Sequence, residues 1–387
     1  MVVGVVNRFF WRRGAVPSVA RGWADNLEKA GHSVIVFAGD VSPDQNTPTR
    51  TYIPVKLGKV KPFDLGGFAF AARLLRALAV MRPRLPEAVV CTDSTAYFAL
   101  WAAWRLWGLR AVLFPQGWIY SPGRAADYPR SVAWLYKATM CFCARAAPLL
   151  GCLSGEIYRG LESLGAPRQR LWYAPNCVDM DRWRPRPRED AERGKRLLFV
   201  GRFSPQKGLD VLLEAFAIVL GRHPDARLRL YGANEDDDGQ HHRHARRLGI
   251  THAVEFCGLV PQEALPPIYS AADLLVMPSR SEGHALTPLE CLACGTPVIA
   301  SDIPGLRETV RHGLNGLLVP PGEAGPLAAA ICRFVEEPGL AERVRAAARP
   351  SVRRFAWRER IAELERLCAD PAVNPPSPEE SPPCDIS

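Results

Sequence analysis

At 387 residues the chain is too long for one compact core and suits two domains. Its 48% hydrophobic and 23% charged residues are ordinary for a soluble globular protein, and no uninterrupted apolar run reaches the ~18 residues that a membrane-crossing helix needs. The net charge of +9 is uneven, +12 over residues 1–175 and −3 over the remainder, so an anionic partner for the amino-terminal half competes with the plainer reading of an arginine-rich surface.

In chain order, MVVGVVNRFFWRR places its charges behind a short apolar run. That is the reverse of a secretory leader and reads as a first buried strand, so the chain is expected in the cytosol. VARGWADNLEKAGH reads as a helix ending at Gly31, and SVIVFAG as the next strand. The segment 63–84, FDLGGFAFAARLLRALAVMRPR, favours a core helix with one basic face over an interfacial membrane helix. Arg105 interrupts the longest apolar stretch, STAYFALWAAWRLWGL, and EAVVCT and RAVLFPQG supply further strands. This alternation of strand and helix predicts a parallel sheet covered by helices.

Residues 184–195 lie in a proline-rich, highly charged segment that reads as a linker, after which the rhythm restarts. LLFVG, RLRLYG, VEFCG, LLVMPS and PVIAS are strands, and GLDVLLEAFAIVL is a helix with Leu209, Leu212, Leu213, Phe216 and Leu220 on one side. RFAWRERIAELERLC is a last amphipathic helix. The expected organisation is therefore two doubly wound, Rossmann-like α/β domains, 1–183 and 196–352, then a helix over 353–369 and a disordered proline-rich tail over 370–387. Ligands of such domains sit at the carboxyl ends of the strands.

The eleven cysteines are scattered, which suits reduced buried thiols better than a disulfide framework. No two glycines are separated by one residue, so the G-x-G-x-x-G fingerprint is absent, and the P-loop pattern G-x-x-x-x-G-K-[ST] does not occur either. In FVGRFSPQKGLD, Arg202 and Lys207 follow a strand and precede a helix, where two cations and a helix N-terminus suit a diphosphate. In PSRSEGHALTPLECLACG, Glu290 fits a capping box with Thr287 as N-cap and Pro288 at the first helical position, and Gly295 ends that helix. Glu282 has no such local role. It stands before Gly283 at the carboxyl edge of a sheet, ahead of a helix whose first amides, His284 to Leu286, suit an anion. A metal site on His241, His242 and His244 is the weaker reading of EDDDGQHHRHARR, and a solvated surface helix the stronger.

GRFSPQKG, PSRSEGHALTPLECLACGTPVIAS and PNCVD together resemble the family-4 retaining glycosyltransferases of GT-B fold, and the likeness extends over nearly the whole chain. The resemblance implies two Rossmann-like domains facing a cleft, with the last helix crossing back to the first. It implies that Arg202 and Lys207 hold the nucleotide diphosphate as it leaves, that Glu282 contacts the donor sugar, and that Glu290 holds the ribose hydroxyls. Gly283, His284, Ala285 and Leu286 would approach sugar and phosphate, with Gly14 and Ala15 beside the donor phosphates. Five positions depart from the family pattern: Ala15 replaces a common second glycine, Cys177 stands in PNCVD where glycine is common, His284 and Ala285 make EGHA of EGFG, and Gln116 stands where many members have histidine. Gln116 can hydrogen-bond a sugar hydroxyl but carries no charge. The expected activity is retaining, metal-independent and cofactor-free transfer from a nucleoside-diphosphate sugar to a saccharide or lipid-linked acceptor, with peripheral membrane contact and no nucleic acid. A sugar-nucleotide-binding protein without transfer activity is the alternative.

Overall fold

The computed structural model describes residues 1–387 except 12–13, 56–64, 116–129, 188–194, 234–238, 371 and 380–387. The chain divides into two compact units. One comprises Met1–Cys177 with Trp357–Pro382, the other Val178–Ala356 with the last residues. Most of the expected linker lies outside the described residues.

The first unit holds seven strands: β1 Val2–Val6, β2 Ser33–Ala38, β3 Arg50–Pro54, β4 Ala88–Cys91, β5 Arg110–Leu113, β6 Leu149–Cys152 and β7 Leu171–Tyr173. They form one parallel sheet in the order β3-β2-β1-β4-β5-β6-β7. The second unit holds β8 Arg196–Val200, β9 Arg227–Tyr231, β10 Val254–Gly258, β11 Leu274–Met277, β12 Val298–Ser301 and β13 Gly316–Val319, ordered β10-β9-β8-β11-β12-β13 and again parallel. Both sheets are therefore doubly wound, with the strand order reversing at β1/β4 and at β8/β11.

The central strands are short, nearly continuous apolar runs because helices cover both faces of a parallel sheet. In the second unit the strand alternation sorts them. Leu197, Phe199, Leu274 and Val276 enter one core cluster, while Leu198, Leu275 and Met277 enter the other. Strands β3, β6, β7 and β13 were not expected from the sequence. β3 opens on Arg50 and Thr51, a glycine interrupts β6 and opens β13, and β7 is three residues long, so none shows a continuous apolar run.

The helix Trp357–Ala369 belongs to the first unit. Buried Trp23, on helix Ala15–Lys29, has its ring centroid 5.2 Å from that of Trp357, 5.6 Å from Phe114 and 6.3 Å from Trp172. The Trp172 indole donates to Glu363 at 2.9 Å, and Arg360 donates to the Tyr173 carbonyl at 3.2 Å. The segment 63–84 contains helix Leu65–Val80, which buries Phe70, Leu74 and Leu78 and exposes Arg73 and Arg76, as the core-helix reading requires.

Because Trp23 is the hub of these rings, Trp23→Ala should destabilise the first unit by about 3–5 kcal/mol. Hydrogen exchange should report early loss of protection in helix Trp357–Ala369. Unchanged exchange there would mean that the ring cluster does not hold the helix.

Candidate active site

In the second unit the reversal point brings together the carboxyl ends of β8 and β11, which pair through Leu274–Leu197 and Leu275–Leu198. Beyond β8 come Arg202 and a 3-10 turn, Pro205–Lys207, leading into helix Leu209–Arg222. Beyond β11 comes the loop that carries Glu282. Gly208, at φ 66°, joins the two, since a Cβ there would lie 2.1 Å from the Pro278 carbonyl oxygen. Only glycine allows this backbone approach.

Polar contacts then stitch the loops. The Arg280 amide donates to the Gln206 carbonyl at 2.8 Å, and Gln206 Nε2 donates to the Ser281 carbonyl at 2.9 Å. The Arg280 guanidinium binds both oxygens of Asp210 at 2.9 and 2.7 Å and the Pro205 carbonyl at 2.6 Å. Burial raises the Asp210 carboxyl, but this two-pronged contact outweighs it and holds the group below its usual range.

The result is a half-buried ion pair. Lys207 Nζ lies 2.5 Å from Glu282 Oε1, the two side chains being 16% and 10% exposed. The same oxygen accepts the Ser279 hydroxyl at 2.8 Å. The Glu282 carbonyl is seated on Gly305, where a Cβ would come within 2.3 Å of it. Arg202 is exposed and has no hydrogen-bond or ion-pair partner among the described residues.

The capping box expected for Glu290 does not form. Helix Leu286–Ala293 begins before Thr287, with Ala285 as an extended N-cap and no side-chain cap. Thr287 is thus already inside the first turn, where its hydroxyl cannot reach the amides that an N-cap serves. That turn also lacks an acidic residue, so the positive end of the helix is uncompensated next to Gly283. Gly295, at φ 83°, closes the helix as expected, with its amide on the Leu292 carbonyl at 2.9 Å.

Glu290 instead turns inward and is buried. Tyr269 donates its hydroxyl to Oε2 at 3.1 Å, and the Gln262 amide reaches Oε1 at 3.5 Å. Burial pushes the carboxyl up to about 7, against the opposing pull of Tyr269, Gln262 and Arg182. His284 and Ala285 are also buried, and Leu286 is half-buried. His284 Nε2 lies 3.2 Å from the Thr309 hydroxyl, and its ring packs 5.5 Å from Phe355.

In the first unit, Gly14 is the N-cap of helix Ala15–Lys29 at φ 135° and Ala15 its first residue, both exposed. Gln116 lies outside the described residues. The three clustered histidines do not converge. His241 is buried against Phe203, His242 stacks on Phe256 at 3.8 Å, and His244 lies 3.6 Å from Glu214. The group among the described residues whose ligand atoms do converge, within 4.8 Å, is His223, Cys332 and Glu336.

Sequence reasoning missed Gly208, Asp210, Ser279, Arg280 and Tyr269. Asp210 and Arg280 meet only through the β8–β11 pairing, some 70 residues apart, and no local pattern marks them. The Gly208 signal, a glycine between a turn and a helix, was present but unspecific.

Glu290 also carries a stability signature. Its folded carboxyl is raised to about 7 from 4.5, so its contribution is fully present below pH ~4.5 and is lost as pH rises through ~7. Relative to Glu290→Gln, the native chain should lose up to about 3 kcal/mol over that window, read from unfolding midpoints at each pH. Parallel curves would contradict the burial of this carboxylate.

Residues 181–350 match the family model described as Glycosyl transferases group 1, and residues 14–177 match Glycosyl transferase 4-like domain. D-inositol 3-phosphate glycosyltransferase 2 of Catenulispora acidiphila is 37% identical over 288 residues, 70% of this chain and 67% of that protein. The D-inositol 3-phosphate glycosyltransferase of Thermobispora bispora is 35% identical over 222 residues, 54% of this chain and 52% of its own length. Against most such relatives the chain spans about half their length. Among solved structures, the fold matches sucrose-phosphate synthase from Thermosynechococcus elongatus with a TM-score of 0.79 at 22% identity, covering 94% of this chain and 98% of that one. Anabaena HepE in complex with UDP matches with a TM-score of 0.75 at 19% identity, covering 94% and 99%. The chain has the GT-B class of fold and belongs to the glycosyl transferases group 1 family.

Proposed function

We propose that the chain is a retaining glycosyltransferase that moves a sugar from a nucleoside-diphosphate donor to a hydroxyl of a saccharide or lipid-linked acceptor. The observation that carries this reading is the Lys207–Glu282 pair at the carboxyl ends of β8 and β11. Lys207, exposed Arg202 and the uncapped start of helix Leu286–Ala293 offer positive charge to a diphosphate. Glu282, held by Ser279 and Lys207, offers oxygens to sugar hydroxyls. Glu290 offers a buried carboxylate to a pair of ribose hydroxyls. The amides of Gly283 to Leu286 line the same edge.

In this reading the two glutamates are not an acid/base pair. They hold two ends of one ligand, and the rate comes from placement and from stabilising the departing diphosphate. The acceptor hydroxyl attacks on the face that the diphosphate leaves, and its proton passes to a phosphate oxygen. Arg202, Lys207 and the helix N-terminus supply the charge that a metal would otherwise bring, so the reaction needs neither metal nor cofactor. The relatives' printed names support a polyol phosphate among the acceptors to be screened, and a lipid-linked acceptor would place the chain at the inner face of a membrane.

Glu282→Gln should lower kcat by about 10²-fold or more, with little change in unfolding midpoint. Unchanged turnover would remove Glu282 from the donor site. Binding of a sugar nucleotide without any transfer across an acceptor panel would favour the binding-protein alternative.

Affinity should also depend on pH. Ribose hydroxyls donating to Glu290 favour its charged form, so a nucleotide sugar, whose diphosphate does not titrate in this range, should bind more tightly as pH rises from 6 to 8. Calorimetric titrations should show that dependence flattened in Glu290→Gln. An equally steep variant would take Glu290 out of the ribose contact.

A further inference from the structure

The strand order of the first unit sorts its helices. The steps β3→β4, β4→β5 and β5→β6 run in one direction across the sheet, opposite to β1→β2→β3. Right-handed crossovers therefore lay helices Leu65–Val80, Tyr97–Trp107 and Arg130–Ala146 on one face, with helix Ala15–Lys29 on the other. Helices Leu65–Val80 and Tyr97–Trp107 pack against each other. Phe142 joins the next helix to them, stacking 4.9 Å from Phe98 and edge-on 5.2 Å from Trp101.

The three helices, of 16, 11 and 17 residues, contain no aspartate or glutamate. They carry Arg73, Arg76, Arg105, Arg130, Lys137 and Arg145. Of these, Arg73, Arg76, Arg105, Lys137 and Arg145 are exposed, and Arg82 and Arg84 extend the basic run past the end of helix Leu65–Val80. The acid-free layer ends at helix Gly155–Ser163, which holds Glu156 and Glu162.

The same layer exposes large apolar side chains. Val80 is 77% exposed, Trp134 70%, Leu106 67% and Phe98 38%. Single exposed apolar residues are ordinary, but here one large apolar group is contributed at least once by each of three adjacent helices, among cations only.

We infer that this helix layer is a docking surface for an anionic lipid bilayer. Interfacial aromatic and aliphatic side chains embed at the headgroup level, and arginine and lysine meet the lipid phosphates. A second copy of the chain fits the face poorly, because a two-fold contact would set like charges against each other. Nucleic acid would satisfy the cations but give Val80 and Leu106 nothing to bury against. The inference is independent of the donor-site reading, since none of these residues belongs to that site.

The test is flotation of the full chain with vesicles of phosphatidylcholine alone or mixed roughly 7:3 with phosphatidylglycerol, at low and high salt; of the two, the mixture alone carries net surface charge. The expected result is salt-sensitive flotation with the anionic vesicles only. Arg76→Glu/Arg105→Glu should lower the partition coefficient by about tenfold or more, and Leu106→Ser/Trp134→Ser by several-fold. All four positions are exposed, so an unchanged unfolding midpoint will show that the variants fold. Absence of flotation with anionic vesicles, or flotation of both variants equal to that of the native chain, overturns the assignment. So does a result in which the variants instead abolish a concentration-dependent dimer or binding to single-stranded RNA.

Discussion

The candidate site depends on one close approach, that of Gly208 to the Pro278 carbonyl. This contact lets the turn after β8 settle on the loop after β11, and it tolerates no side chain. Everything polar follows from it. Asp210 comes within reach of Arg280, Gln206 within reach of Ser281, and Lys207 within 2.5 Å of Glu282. A half-buried ion pair gains little net stability once desolvation is counted. Its value lies in arrangement, because it holds a cation and a carboxylate side by side at the strand ends where α/β sheets bind ligands.

The two glutamates of PSRSEGHALTPLECLACG occupy different environments. Glu282 is pinned by Lys207 and Ser279 at the rim. Glu290 is buried within helix Leu286–Ala293, with Tyr269 as its main donor and its carboxyl raised to about 7. A group buried with few donors gains most from a ligand that brings two hydroxyls. Near pH 7 the deeper carboxyl is thus about half protonated, and in the proposed reading hydroxyls donating to it would favour its charged form.

Much of this was legible in the sequence. The central strands announced themselves as short apolar runs, and Arg202, Lys207 and Glu282 could be placed after strands because strand ends carry the ligands of doubly wound sheets. The edge strands β3, β7 and β13 could not be read, since β3 opens on Arg50 and Thr51, β7 is only three residues long and β13 opens on a glycine. The capping-box reading of Glu290 failed for an instructive reason. T-P-L-E satisfies the local pattern, but tertiary contacts start the helix earlier and turn Glu290 toward Tyr269. Long-range partners such as Arg280 and Asp210 leave no local trace at all. The lack of acidic residues in 65–80, 97–107 and 130–146 was equally visible as composition, yet only the strand order shows that these three helices share a face.

The central claim, that the strand-end site holds a nucleoside diphosphate, is tested most directly by thermal shift of the native chain and of Lys207→Met with UDP, GDP and ADP and their sugar conjugates. A ligand at about 100 times its dissociation constant stabilises by about 2.7 kcal/mol, readily seen as a raised midpoint. The account predicts a shift of the native chain with the nucleotides of one base, weakened by at least about tenfold in concentration dependence in Lys207→Met. No shift with any nucleotide at millimolar concentration, or an identical shift in the variant, would contradict it.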